Sequence, residues 1–213
     1  MTERHIVLGF DPGGRSGVAV IRSGGGEPCS CEWATVGSVD AALDWYTAKL
    51  AGAVPTAIGI DTPMCWQTGN CGWREPDHWL RAAYPEAEHS VISTNSARGA
   101  MIVQGPALAL RLRARFAASP PHLNETHPKV LYYALNRQPY PRTAPMPPDV
   151  IEWLCGLIPV SCGGRGMSSD EWDAVLSAWA TVQGLTGAWS RDLMALAECP
   201  LFPAGRATYY WPA

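Results

Sequence analysis

The sequence has no long apolar run and no excess of positive charge. No stretch approaches the roughly 18 apolar residues that a membrane-spanning helix needs, and the first residues are typical of a strand instead of a secretion signal. We therefore expect a cytoplasmic protein without a membrane partner. The net charge of −3 argues against tight non-specific binding of nucleic acid, which relies on Lys and Arg, although a bound divalent cation also supplies positive charge.

The chain also lacks internal repeats and low-complexity tracts. Its 213 residues are 47% hydrophobic and 16% charged, which argues against disorder and fits one globular domain. We predict a single domain over residues 1–213, with irregular insertions near 62–98 and 136–168. The first insertion is rich in Gly, Cys and Trp, and the second is rich in Pro.

The seven cysteines are an odd number, and without a secretion signal they predict reduced thiols. Cys29 and Cys31 lie two apart on a predicted strand, so they share a face and could share an ion. A zinc site is a further alternative, and its candidate ligands are Cys65, Cys71, Cys155 and Cys162. Because these spacings lack the close C-x-x-C form, buried free thiols are the favoured interpretation.

The order of the predicted elements indicates a mixed α/β sheet. Apolar runs at residues 5–8 and 18–21 surround a Pro-Gly-Gly turn and predict a β-hairpin. The remaining strands are predicted at 29–36, 56–61, 122–126 and 207–211. Helices are predicted at 38–52, 75–84, 100–117, 129–135 and 150–157, and from Ser168 onwards. A strand that follows a helix, as at 56–61, indicates a crossover connection.

Acidic residues mark the ends of these strands and the start of the last helix. Asp11 and Asp61 each follow an apolar run, Glu125 lies in a third strand, and Asp170 and Asp173 share one helix face. Functional sites of α/β sheets gather where strand ends diverge, so these acids can meet in one cleft. Carboxylate oxygens are the ligands that Mg²⁺ and Mn²⁺ prefer, and a pair of such ions supports phosphodiester hydrolysis.

Each acid also has an ordinary structural explanation. Asp11 and Asp61 precede proline-containing turns that an aspartate often caps. Asp170 suits the first turn of a helix, where the helix dipole favours acids. Asp173 is harder to explain in this way, because the residue after it belongs to the packed face. Glu125 can form hydrogen bonds with its neighbours.

Two further groups are candidates for contact with a substrate. Gly13, Gly14 and Arg15 form the turn after Asp11, where the absence of side chains leaves room for another molecule. Arg74 and Arg81 surround a predicted helix and can hold a phosphate. Pairing of these two arginines with nearby acids is the more ordinary explanation.

Six short motifs occur in a characteristic order along the chain. They are GFDPGGRSG, IGIDTP, WREPDHWLR, NETHPKVLYYAL, DEWDAVLSAWA and a closing YYWP. In this order they resemble the RNase H-like superfamily in its RuvC resolvase-like branch. More closely, they resemble the predicted-nuclease family known as domain of unknown function 429.

The resemblance implies an RNase H-like fold, with a five-stranded mixed sheet whose first three strands are antiparallel and with helices on both faces. It also implies that Asp11, Asp61 and Asp173 match the acidic positions of the superfamily and hold Mg²⁺ or Mn²⁺. Asp170 would be a fourth acid, whereas Glu125 matches a motif of the closer family. The implied activity is metal-dependent cleavage of DNA or RNA.

Two other functions stay open from the sequence. Actin-like and sugar-kinase-like enzymes share the core of this fold and a similar Gly-rich hairpin, although they need two such domains and 213 residues are few for a pair. A non-catalytic binding module that keeps the fold and some acids is the third interpretation.

Overall fold

Alternating apolar residues build the central sheet, because successive side chains of a strand point to opposite faces. The computed structural model describes residues 4–24, 29–141, 143–158, 166–198 and 201–213. The sheet contains five strands: β1 (His5–Asp11), β2 (Ser16–Ser23), β3 (Ser30–Val36), β4 (Ala57–Ile60) and β5 (His122–Glu125). Their order in the sheet is β3-β2-β1-β4-β5.

The directions of the strands place the C-terminal ends of β1, β4 and β5 at one edge of the sheet. β1, β2 and β3 are antiparallel neighbours, whereas β4 is parallel to β1 and β5 is parallel to β4. Phe10 pairs with Ile60, and Ile60 pairs with Glu125. The prediction of a five-stranded mixed α/β sheet is therefore confirmed.

Six α-helices surround the sheet in the described residues. They are α1 (Val39–Leu50), α2 (Glu75–Ala83), α3 (Gly99–Arg115), α4 (Pro128–Asn136), α5 (Pro148–Leu157) and α6 (Ser169–Leu185). α1 and α3 pack on the face that carries Leu8 and Phe10. Side chains of α4, α5 and α6 pack on the opposite face, together with Val7 and Ala19. No helix in these parts of the chain is long and apolar enough to cross a membrane.

The backbone of α6 lies directly on the sheet because the facing strand residues are glycines. A Cβ atom at Gly9 would lie 1.9 Å from the carbonyl oxygen of Ala174, and one at Gly59 would lie 2.2 Å from that of Ser177. At Gly17 it would lie 1.8 Å from the carbonyl oxygen of Asp170. Any side chain at these positions would push α6 away from the sheet, so the three glycines set the height of the helix.

The C-terminal segment differs from its prediction. The strand predicted at 207–211 is reduced to a pair, β6 (Arg191–Asp192) with β7 (Tyr210–Trp211), in a separate two-stranded sheet. Thr208 bridges to Asn124 of β5, and the side chain of Asn124 accepts a hydrogen bond from the backbone N–H of Tyr210. The side chain of a β5 residue thus interrupts the backbone pairing that the strand composition predicts.

The two predicted insertions hold the helices that were predicted within them. The region 62–98 holds α2, and it also contains two short 3-10 helices that were not predicted, Asn70–Gly72 and Pro85–Ser90. The region 136–168 holds α5, and residues 142 and 159–165 of it lie outside the described part of the chain.

Candidate metal centre

Three carboxylates meet at one edge of the sheet. Asp11 ends β1, Asp61 directly follows β4, and Asp173 lies in the first turns of α6. One carboxylate oxygen of each lies within 4.8 Å of the other two. Within the described residues, no other group of three His, Cys, Asp or Glu side chains meets this spacing. We call these three residues the acidic cluster.

Backbone geometry explains why these acids converge. The backbone N–H of Asp61 donates to the carbonyl oxygen of Phe10 at 2.9 Å, which continues the parallel pairing of β1 and β4 past its last pair. Asp11 and Asp61 therefore lie side by side at the C-terminal ends of β1 and β4. Asp173 is added by α6, whose close approach is allowed by the glycines of the sheet.

Burial raises the pKa of every carboxyl group in the acidic cluster. The pKa of Asp173 rises to about 8, first through burial and then through Asp61. Burial followed by the charges of Asp173 and Asp61 raises the pKa of Asp11, and burial raises that of Asp61. Lys129 opposes these shifts for all three groups. The cluster is thus a site of concentrated negative charge that favours a bound cation or proton.

Two residues that the sequence did not single out contact the acidic cluster. The hydroxyl of Tyr140 donates a hydrogen bond to Oδ1 of Asp173 at 2.9 Å. Nζ of Lys129 lies 3.9 Å from Oδ2 of Asp173 and 5.6 Å from the ring centre of Tyr140. Lys129 lies four residues after the end of β5, in the NETHPKV motif. This short distance from a strand end was the one sequence feature that could have predicted its place near the cluster.

A cleft of about 1280 Å³ opens onto the acidic cluster. The predicted contact residues Gly13, Gly14 and Arg15 lie along it, and so does Asp170. Asp170 lies one turn before Asp173 and does not join the cluster, but its charge raises the pKa of Asp173 and of Asp11. All five predicted acids thus line one cleft, and three of them form the acidic cluster.

Glu125, the fifth predicted acid, has a different environment. It is buried, and its Oε1 and Oε2 accept hydrogen bonds from Nη2 and Nη1 of Arg74 at 2.7 and 2.8 Å. Oε2 also accepts a bond from the backbone N–H of Met64 at 2.7 Å. Both oxygens of Glu125 are held by protein donors, which favours a structural role over the predicted catalytic one.

Arg74, which was predicted to contact substrate, is likewise buried within the protein. It is only 3% exposed. Its guanidinium donates to Glu125 through both Nη atoms, to Asp77 through Nε and Nη2, and to the carbonyl oxygen of Cys65 through Nη1. With five donors engaged within the protein, Arg74 has none left for a phosphate. The more ordinary explanation, pairing of Arg74 with a nearby acid, is confirmed by its ion pair with Asp77.

Arg81 lies away from the cleft. Its Nη2 donates to Oε2 of Glu88 at 2.9 Å, and its guanidinium lies 5.0 Å from the ring centre of Trp73. It is absent from the residues that line the described cleft. Its surface ion pair and cation–π contact favour the more ordinary explanation, pairing with a nearby acid, over contact with a substrate.

The buried ion pair predicts a large difference between two arginine substitutions. Arg74→Met leaves Glu125 and Asp77 buried without a cation, and we expect the free energy of unfolding to fall by about 3–5 kcal/mol. Arg81→Met makes the same change at a partly exposed pair, where the expected loss is at most about 1 kcal/mol. Urea denaturation of both variants measures the difference. Equal losses would contradict the structural role of Arg74.

The cysteines do not form a zinc site in the described residues. Cys29, Cys31, Cys65 and Cys71 are free thiols, as predicted. Cys155 is disulfide-bonded, which corrects the expectation of a reduced thiol at that position. Cys162 lies outside the described residues. Burial raises the pKa of Cys65 to about 12, so its thiol is protonated and a poor metal ligand.

Comparisons of the chain with protein-family models, with curated proteins and with solved structures found no significant match.

Proposed function

We propose that this protein is a divalent-metal-dependent phosphodiesterase with an RNase H-like fold, acting on DNA or RNA. The observation that carries the proposal is the convergence of Asp11, Asp61 and Asp173 from three separate elements. Acids that are far apart in the chain and buried together are costly unless a cation compensates their charge. A structural role alone gives no reason to gather them at the open end of a cleft.

The arrangement of the sheet supports the RNase H-like part of the proposal. Three antiparallel strands are followed by two strands parallel to the first, and helices cover both faces. The helix with the last acid lies across β1, β2 and β4. This arrangement is compatible with the architecture that the resemblance implied, and it supports the proposal.

The donor set fits a hard cation. All three ligands are carboxylate oxygens, which suits Mg²⁺ or Mn²⁺ and not a thiol-seeking metal. Their raised pKa values reflect burial and mutual repulsion that one ammonium group relieves only in part. A divalent cation would convert this unfavourable cluster of charges into a favourable one.

Each residue of the cleft then has a defined task. Asp11, Asp61 and Asp173 would hold the cation, which would supply positive charge to the phosphate in the transition state. Tyr140 fixes the orientation of Asp173 through its hydrogen bond. Gly13 and Gly14 line the cleft without side chains, and the exposed Arg15 beside them would contact a neighbouring phosphate. Asp170 lines the same cleft and would accept a proton from the attacking water.

The direct test is a cleavage assay on labelled single-stranded and double-stranded DNA and RNA. We expect cleavage of at least one substrate with Mn²⁺ or Mg²⁺, and none with EDTA. Asp173→Asn, prepared in the same way, should be inactive and controls for contaminating nucleases. Asp44→Asn, at an exposed acid of α1, should retain full activity. Binding of Mn²⁺ without cleavage of any substrate would contradict catalysis and favour a binding module.

A further inference from the structure

Lys129 is an unusual residue for its position. The chain has only two lysines, Lys49 and Lys129, among its 16 basic residues. Lys129 is the one that lies against the acidic cluster, with its ammonium group 3.9 Å from Asp173. An ammonium group at this distance takes up space beside the carboxylates and neutralises part of the negative charge that would otherwise attract a metal ion.

Two contacts hold Lys129 in place. Its ammonium group lies over the ring of Tyr140, and the hydroxyl of the same tyrosine donates to Asp173. The backbone of Lys129 is fixed as well, because this residue lies in the first turn of α4, which begins three residues after the end of β5. The side chain of Lys129 is 41% exposed and lines the cleft, whereas that of Asp173 is 2% exposed. The ammonium group therefore reaches the buried carboxylate from the solvent-accessible part of the site.

The charges of the acidic cluster and Lys129 match one divalent ion. The three carboxylates of the cluster carry −3 when ionised, and the ammonium group reduces the sum to −2, while Asp170 lies outside the cluster. Two ions in a shared site lie roughly 3.5–4 Å apart. The ammonium group of Lys129 interacts electrostatically with Asp61, Asp173 and Asp11, so a second ion at the cluster would face the charges of both the first ion and the ammonium group.

We propose that Lys129 takes the place of a second metal ion, so that the acidic cluster binds one divalent cation and the ammonium group supplies the second positive charge. This inference rests on the proposed function of the cluster. When a phosphodiester enters the cleft, the ammonium group donates hydrogen bonds to a phosphate oxygen that a second ion would otherwise contact. Lys129 is thus a substrate-binding residue as well as a limit on the number of metal ions.

The test counts Mn²⁺ ions bound to the full chain by titration calorimetry and by electron paramagnetic resonance. We expect one ion per wild-type chain, with the spectrum of an isolated ion. Lys129→Met should bind two, with the broadened spectrum of ions about 4 Å apart. Lys129→Arg keeps the charge and should bind one ion, and Lys49→Met, which removes the other lysine, should bind one as well. Lys129→Gln is a second neutral variant, should Lys129→Met fail to fold.

The outcomes separate this inference from the proposed function. Two ions in the wild type, together with cleavage, would overturn the role of Lys129 and leave the phosphodiesterase intact. One ion in both Lys129→Met and Lys129→Gln would overturn it too, because the lysine would then not be what excludes the second ion. No Mn²⁺ bound to the wild type would overturn both proposals.

Discussion

Replacing Asp11 by Asn is expected to abolish cleavage while making the metal-free protein more stable. The substitution keeps the size of the side chain and removes one of the three carboxylates that we propose to hold the cation. A loss of several kcal/mol of transition-state stabilisation lowers the rate on the order of 10³-fold. The same change relieves the repulsion and burial that raise the pKa of Asp11 in the native state.

The stability of the Asp11→Asn variant is measured by thermal unfolding in EDTA near pH 7.5. Relief of about 1–2 kcal/mol raises the Tm of a domain of this size by roughly 2–8 °C. With Mn²⁺ the order should reverse, because the wild type alone gains the binding energy of the ion. Asp44→Asn is the matched control and should change neither activity nor Tm. A variant that cuts as fast as the wild type would refute the role of Asp11, and a variant less stable in EDTA would show that its charge is structural.

The acids at the strand ends were predictable because their positions depend on local patterns. Asp11 and Asp61 each follow an apolar run, and parallel strands bring such residues to the same edge. Asp173 was predictable for a similar reason, since small residues beside it indicate close contact of the helix with the sheet. The positions of Asp11, Asp61 and Asp173 within their strands and helix therefore follow from local sequence.

The roles of Glu125 and Arg74 depend instead on a contact between distant segments. They lie 51 residues apart in the chain, and each has charged neighbours that offer simpler partners. Only the packing of β5 against the loop before α2 shows that the two residues form one buried ion pair. Tyr140 was missed for the same reason, because it belongs to a proline-rich connection with no periodic pattern.

The second large effect that we expect is a stability that falls with rising pH in the absence of metal. Burial raises the pKa of Asp173 to about 8, well above its ordinary value near 4. Between these two values the native state binds more protons than the unfolded state, so raising the pH destabilises the native protein. Asp11 and Asp61, whose pKa values are also raised, act in the same direction.

Mn²⁺ should reverse this pH dependence, because the ion requires deprotonated carboxylates. At pH 8 and a concentration of 100 times Kd, binding stabilises the native state by about 2.7 kcal/mol, which is roughly 5–11 °C in Tm. At pH 5 the protons compete with the ion, and the shift should be close to zero. Thermal unfolding at pH 5, 6, 7 and 8, with Mn²⁺ and with EDTA, measures both trends.

Asp173→Asn separates this explanation from a general effect of pH. It removes one of the groups with a raised pKa, so the Tm in EDTA should vary less between pH 5 and 8 than in the wild type. It should also lose most of the shift with Mn²⁺, since two carboxylates remain of three. A wild-type shift with Mn²⁺ that is the same at pH 5 and pH 8 would mean that the ion binds elsewhere, because only at a cluster with raised pKa values do protons and the ion compete across this range.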